Sequence, residues 1–173
     1  MDDVMEKARA VKALILDVDG VLTDGTLWFG PDGEVMKAFN ILDGLGIKLL
    51  QSTGVQVGII TGRHSETIAS RAAELGLEHL LQGREDKREA LEELLATLGL
   101  AADACAYMGD DLPDLAAIRH AHLGITVPNG HPFVIRHADW CTERSGGRGA
   151  VREACDLILQ ARGDLTTLCN GYL

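Results

Sequence analysis

The chain has 173 residues, 46% of them hydrophobic and 24% charged, which is enough to bury the core of one ordinary domain and leaves little room for a large second one. A formal net charge of −10 argues against a surface built for nucleic acid, whose phosphates are bound by clustered Lys and Arg. The apolar runs break well short of a membrane span and the N-terminus has no signal-like organisation, so a soluble cytoplasmic protein without membrane partners is expected. Cys105, Cys141, Cys155 and Cys169 lack CxxC or Cys/His zinc spacing and are read as reduced thiols.

The first strand is expected over 11–16, apolar enough to lie between two helical layers. At its end stand Asp17 and Asp19, in the run Asp17-Val18-Asp19-Gly20-Val21. Carboxylates at the end of a parallel strand face the usual ligand crevice of an open α/β fold, where they can hold a hard cation and attack phosphorus. An ordinary turn role is the alternative. Segments 26–29 and 34–39 flank Gly30-Pro31-Asp32-Gly33 and predict a β-hairpin. Its Trp28, Phe29 and Phe39 need cover, either from their own domain or from a second subunit.

The second parallel strand is expected over 55–60, followed by Thr61-Gly62 and a helix over 65–75 that Gly76 stops. A weak strand at 79–81 leads to an amphipathic helix over 86–98, with Leu91, Leu94, Leu95 and Leu98 on its core face. Strand character returns at 104–108, then Gly109-Asp110-Asp111 with Asp114, a short helix over 112–119 and a strand over 123–127. A polar loop at 142–149 precedes the last helix, 149–162. This alternation predicts a Rossmann-like α/β fold, a mainly parallel sheet covered by helices on both faces, with a small β-hairpin insertion.

In this order and at these strand ends, Asp17-Val18-Asp19-Gly20-Val21, Thr61-Gly62, Lys87 and Gly109-Asp110-Asp111 with Asp114 resemble the four motifs of the haloacid dehalogenase-like phosphatases. That resemblance implies Asp17 as the nucleophile that forms an aspartyl-phosphate and Asp19 as general acid, then base. It implies phosphoryl contacts from Thr61, Gly62 and Lys87, and Mg²⁺ held by Asp17, the backbone carbonyl of Asp19, and Asp110. The residue types suit that chemistry: oxygen donors match Mg²⁺, a carboxylate can divide hydrolysis into two displacements, and a lysine can offset phosphoryl charge. Taken singly, Lys87 could be a solvated lysine and Thr61 a helix cap. Asp111 and Asp114 are left between two roles, supporting the metal or Lys87 from behind and favouring the start of the helix after them.

The interval from Asp19 to Thr61 is largely consumed by the hairpin and one helix, and that from Thr61 to Lys87 by another helix and the weak strand, which leaves no room for a large mobile cap, so the architecture is expected to be capless. The chain further resembles the 3-deoxy-D-manno-octulosonate 8-phosphate phosphatase family through Lys37-Ala38-Phe39-Asn40, Asp43-Gly44-Leu45-Gly46, Ile59-Ile60-Thr61-Gly62-Arg63 and Gly146-Gly147-Arg148-Gly149-Ala150-Val151-Arg152-Glu153. This resemblance implies hydrolysis of a small anionic sugar phosphate, the 8-phosphate of a lipopolysaccharide precursor, by a homotetramer whose hairpins associate. A phosphatase for a nine-carbon sialic-type 9-phosphate and a catalytically silent oligomerising domain are the alternatives. Arg63 and Arg148 are candidate substrate contacts, with solvated or capping roles as the alternative. His64 reads as a helix-start residue and His131 as a loop or helix-start residue. A single domain over 1–173, with the hairpin at about 26–39 and a C-terminal tail at about 163–173 of unassigned role, completes the expectation.

Overall fold

The computed structural model describes residues 1–31 and 33–173. Asp32, in the expected hairpin turn, lies outside the described residues. The central sheet contains β1 (Ala13–Leu16), β4 (Gln56–Ile60), β5 (His79–Leu81), β6 (Cys105–Met108), β7 (Leu123–Thr126) and β8 (Trp140–Cys141), in the order β5-β4-β1-β6-β7-β8. Every neighbouring pair is parallel. β2 (Trp28–Gly30) and β3 (Gly33–Met36) form the separate antiparallel hairpin.

β1 is fully buried because both of its faces are covered. Leu14 and Leu16 point into one core layer, Ala13 and Ile15 into the other, as the period of two in a strand requires. The first layer is closed by α1 (Asp2–Ala10), α2 (Ile41–Ser52), α3 (Glu66–Leu75) and α7 (Ala150–Arg162). The second is closed by α4 (Lys87–Leu98), α5 (Leu115–His120) and Val134 of the short α6 (Pro132–Ile135). Crossovers through α2 and α3 lie on one face and those through α4 and α5 on the other. The chain therefore reverses direction across the sheet at β1, which opens a crevice at the carboxyl ends of β1, β4 and β6.

The expected elements are present with bounds shifted by up to three residues, the largest shift being the second hairpin strand, expected over 34–39 and ending at Met36. Gly76 stops α3 in the left-handed conformation at φ +69°. The helix expected over 112–119 divides into a 3₁₀ turn, Leu112–Asp114, and α5. Helix α1, strand β8 and α8 (Leu165–Asn170) had no counterpart in the sequence reading. Each offers little periodicity: α1 buries only Val4 and Ala8, β8 has two residues, and α8 docks through Leu165 and Leu168. The segment read as a tail thus begins as a docked helix. Phe39 is half-buried against the core beneath Arg71, whereas Trp28 and Phe29 remain 54% and 64% exposed.

Close approach of α2 and α7 depends on Gly46, where a Cβ would lie 2.8 Å from Arg152 Cδ and 3.1 Å from Arg152 Cα. Across the same contact, the buried Asp43 accepts the Arg152 backbone N–H at 2.7 Å near the N-terminus of α7. Gly46→Val is expected to push the two helices apart and lower unfolding free energy by about 1–3 kcal/mol. Urea unfolding of parent and variant checks this, and equal midpoints would show that the helix pair is not tightly packed here.

Candidate active site

Asp17 is the first residue after β1, Thr61 the first after β4, and Asp110 the second after β6. Three strand ends therefore deliver three of the expected residues to one crevice, and α4 delivers Lys87 from its first position. Together with Asp19, Gly62, Arg63, Asp111 and Asp114 they line a cavity of about 470 Å³.

Lys87 is buried, and its Nζ lies 2.8 Å from Asp17 Oδ1, 2.9 Å from Asp114 Oδ1 and 3.1 Å from the Ile60 carbonyl oxygen. All three ammonium protons therefore have protein acceptors. Burial pulls the pKa of this lysine down, but Asp17 and Asp114 outweigh it and hold the value above the ordinary one. Asp114 is equally committed. Its Oδ1 also accepts the buried Tyr107 hydroxyl at 2.8 Å, and its Oδ2 accepts the backbone N–H groups of Asp110 and Asp111 at 3.3 and 3.4 Å. Asp111 accepts the Leu112 N–H at 2.8 Å and completes a reciprocal capping box with Asp114. Asp114 thus combines both roles that the sequence left open, and Asp111 caps the 3₁₀ turn.

Carboxylate oxygens of Asp17, Asp110 and Asp114 converge to within 4.8 Å of one another. Burial and then the charge of Asp114 push Asp17 up to about 7 against the pull of Lys87. Burial, followed by the charges of Asp114 and Asp111, raises Asp110 to about 7. The cluster is short of positive charge, and its hard oxygen donors fit a divalent cation such as Mg²⁺. Asp110 is brought close by Gly20, which has φ +92°, because a Cβ there would lie 2.0 Å from Asp110 Oδ2. The Gly20 carbonyl accepts Asn129 Nδ2 at 3.1 Å, and Asn129 Oδ1 accepts the Gly146 N–H at 2.8 Å. A Cβ on Gly146 would strike the Gly20 carbonyl oxygen at 1.7 Å. The glycine-rich loop is therefore packed against the first motif.

Asp19 sits at the opening and is met by the hairpin. Lys37, just after β3, places Nζ 2.5 Å from Asp19 Oδ1 and 3.0 Å from Glu34 Oε2. Arg63 approaches the same pair, with Nε 3.9 Å from Asp19 Oδ2 and 3.5 Å from Glu34 Oε2, and its guanidinium lies over the Phe29 ring. Arg148, by contrast, is 72% exposed beside Asp24 and lies outside the cavity lining. His131 caps α6, accepting the Phe133 N–H at 3.1 Å.

A family model for haloacid dehalogenase-like hydrolases matches residues 79–153. The chain is 47% identical over 163 residues to the 3-deoxy-D-manno-octulosonate 8-phosphate phosphatase KdsC of Escherichia coli strain K12, covering 94% of this chain and 87% of that one. The chain belongs to this phosphatase family. The crystal structure of the family's phosphatase from Moraxella catarrhalis, in complex with magnesium, phosphate and KDO, superposes with a TM-score of 0.98 at 43% identity, over 100% of this chain and 99% of that one. The Yersinia pestis phosphatase gives 0.93 at 46% identity over 95% and 89% of the two chains.

For a member of this family, the sequence reading overlooked Glu34, Tyr107 and Asn129 and met Lys37 only as part of a motif. Tyr107 is masked inside an apolar strand, and Asn129 in Asn129-Gly130 reads as a plain turn. Lys37 and Glu34 are polar residues beside an aromatic hairpin, a pattern that also fits a solvated edge.

Proposed function

We propose that this protein hydrolyses 3-deoxy-D-manno-octulosonate 8-phosphate to the free sugar acid and phosphate, in a Mg²⁺-dependent reaction through an aspartyl-phosphate. The observation that carries the reading is the buried Lys87–Asp17 pair at 2.8 Å, facing Asp110 in a crevice at the strand ends. Lipopolysaccharide synthesis is the context implied by that substrate. A silent oligomerising domain would have no use for a buried lysine committed to two carboxylates, since apolar side chains fill such space at lower cost.

In this reading Asp17 attacks phosphorus and forms the Asp17–phosphorus bond as the bond to the sugar oxygen breaks. Protonated Asp19 gives its proton to that oxygen. Asp19 then takes a proton from water as the water attacks the aspartyl-phosphate, releasing phosphate and restoring both carboxyl groups. Lys87 contributes fixed positive charge, because its three donors are already engaged. To donate directly to a phosphoryl oxygen it must exchange one of them. Thr61 and the Gly62 backbone offer directional donors beside Asp17. Mg²⁺ would be held by Asp17, Asp110 and the Asp19 carbonyl, and when bound it supplies charge that offsets the phosphate and the carboxylates. Asp114 orients Lys87 and the loop amides. Arg63, inside the cavity, suits a sugar-acid anion better than the outlying Arg148.

The chain works as a single phosphatase domain over 1–173, and we infer a homotetramer joined through the hairpins. The exposed Trp28, Phe29, Val35 and Met36 support that contact, because an apolar surface of this kind favours a partner. No helix is long and apolar enough to cross a membrane among the described residues.

Asp17→Asn is expected to abolish turnover and phosphoenzyme formation while leaving the fold intact. Rapid-quench trapping with the 8-phosphate checks this, and undiminished turnover would remove Asp17 as nucleophile. Chelation should abolish activity and Mg²⁺ restore it, and Asp110→Ala should weaken Mg²⁺ binding about 10-fold or more by calorimetry. A panel with a nine-carbon 9-phosphate decides sugar length, with the eight-carbon substrate expected to have the higher kcat/KM. Trp28→Glu with Phe29→Glu should shift light scattering from tetramer toward monomer. A parent that is monomeric and fully active would reject the hairpin interface.

A further inference from the structure

The Lys37 side chain is fully buried, yet its ion pairs are with Asp19 and Glu34 rather than with Asp17 or Asp110. Burying an ammonium is costly unless its partners are close and well aligned. The two partners differ in kind. Glu34 is anchored independently, its Oε1 accepting the Ser65 hydroxyl at 2.8 Å. Despite the opposing effect of burial, the Ser65 hydrogen bond and the adjacent Lys37 ammonium keep the Glu34 carboxyl below its ordinary range. Among the described residues, Asp19 has one close side-chain partner. Its Oδ1 is held by Lys37, while its Oδ2, like Glu34 Oε2, is buried without a hydrogen-bond partner among those residues, and Arg63 Nε stands 3.9 Å away.

An acceptor in that condition costs stability until something donates to it. Asp19 lines the reaction cavity, where the groups that reach it during turnover are the leaving-group oxygen, which takes a proton, and the attacking water, which gives one. We propose that Lys37, braced by Glu34 and Ser65, is a positioning residue that fixes Asp19 through Oδ1 and leaves Oδ2 as the proton-transfer atom. The hairpin thereby belongs to the acid/base apparatus and not only to an interface. This rests on the reading of Asp19 as acid and base. The proton path is unchanged: Oδ2 gives its proton to the sugar oxygen as the phosphorus–oxygen bond breaks, and recovers one from water as the aspartyl-phosphate is cleaved. Lys37 contributes orientation and transfers nothing.

Leaving-group dependence separates this role from simple scaffolding, because an alkoxide needs a proton and 4-nitrophenolate does not. Lys37→Met should lower phosphoenzyme formation from the sugar phosphate about 100-fold with KM nearly unchanged, and formation from 4-nitrophenyl phosphate, read as the nitrophenolate burst, by less than about threefold. The slow steady state after that burst should expose impaired water activation. Glu34→Gln, which keeps the buried lysine, should show the same split at about 10-fold and decides the matter should Lys37→Met not fold. Asp19→Asn is the reference. A split in Asp19→Asn that is missing from both other variants would overturn the positioning role. Its absence from Asp19→Asn itself would instead overturn the acid/base reading.

Discussion

A lysine ammonium surrounded by acids is the constraint on which the site depends. Asp17, Asp110 and Asp114 crowd the carboxyl ends of β1 and β6, and carboxylates this close and this far from water repel one another unless a cation stands between them. Lys87 supplies that charge from the first position of α4, using its full set of donors on Asp17, Asp114 and the Ile60 carbonyl. Tyr107 and two loop amides then saturate Asp114. The nucleophile's place is thus determined by β1, β4, α4 and the loop after β6 together. One cation does not neutralise the cluster, and the raised proton affinities of Asp17 and Asp110 mark where a metal charge is still needed.

Around this centre the chain makes two approaches that the core alone would not provide. From one side, Gly146 presses on Gly20, and Asn129 ties the two segments through hydrogen bonds to both. From the other, the hairpin reaches Asp19 through Lys37 and Glu34. A capless α/β core has an open crevice, and these approaches narrow it without a separate domain. They also give the exposed aromatic residues of the hairpin a connection to the chemistry, since Phe29 lies under Arg63, which in turn faces Asp19 and Glu34.

Much of this was legible in the sequence because the fold and site depend on local, repeated signals. The apolar strands, the leucine stripe of α4 and the carboxylates at strand ends can be read without tertiary knowledge, and the structure brings Asp17, Asp19, Thr61, Lys87 and Asp110 to one cavity. What escaped depends on long-range partners. α8 is recognisable only through the core that Leu165 and Leu168 meet. Tyr107 matters through a hydroxyl hidden in a strand that reads as purely apolar. Lys37 was met only inside a motif and nothing local announced its pairing, because its partner Asp19 lies eighteen residues earlier in the chain. Arg63 and Arg148 looked alike as sequence, and only three-dimensional placement puts one in the cavity and the other beside Asp24.

The claim that the buried charge pairing of Lys87 organises the acidic crevice is tested most directly by a double-mutant cycle on Lys87 and Asp114, read by urea unfolding at neutral pH with metal chelated. Lys87→Met should cost about 3–5 kcal/mol because it leaves buried carboxylates unpaired. Combining it with Asp114→Asn should recover part of that loss, giving a coupling energy above about 1 kcal/mol. Single substitutions that each cost less than about 0.5 kcal/mol and add without coupling would contradict the account.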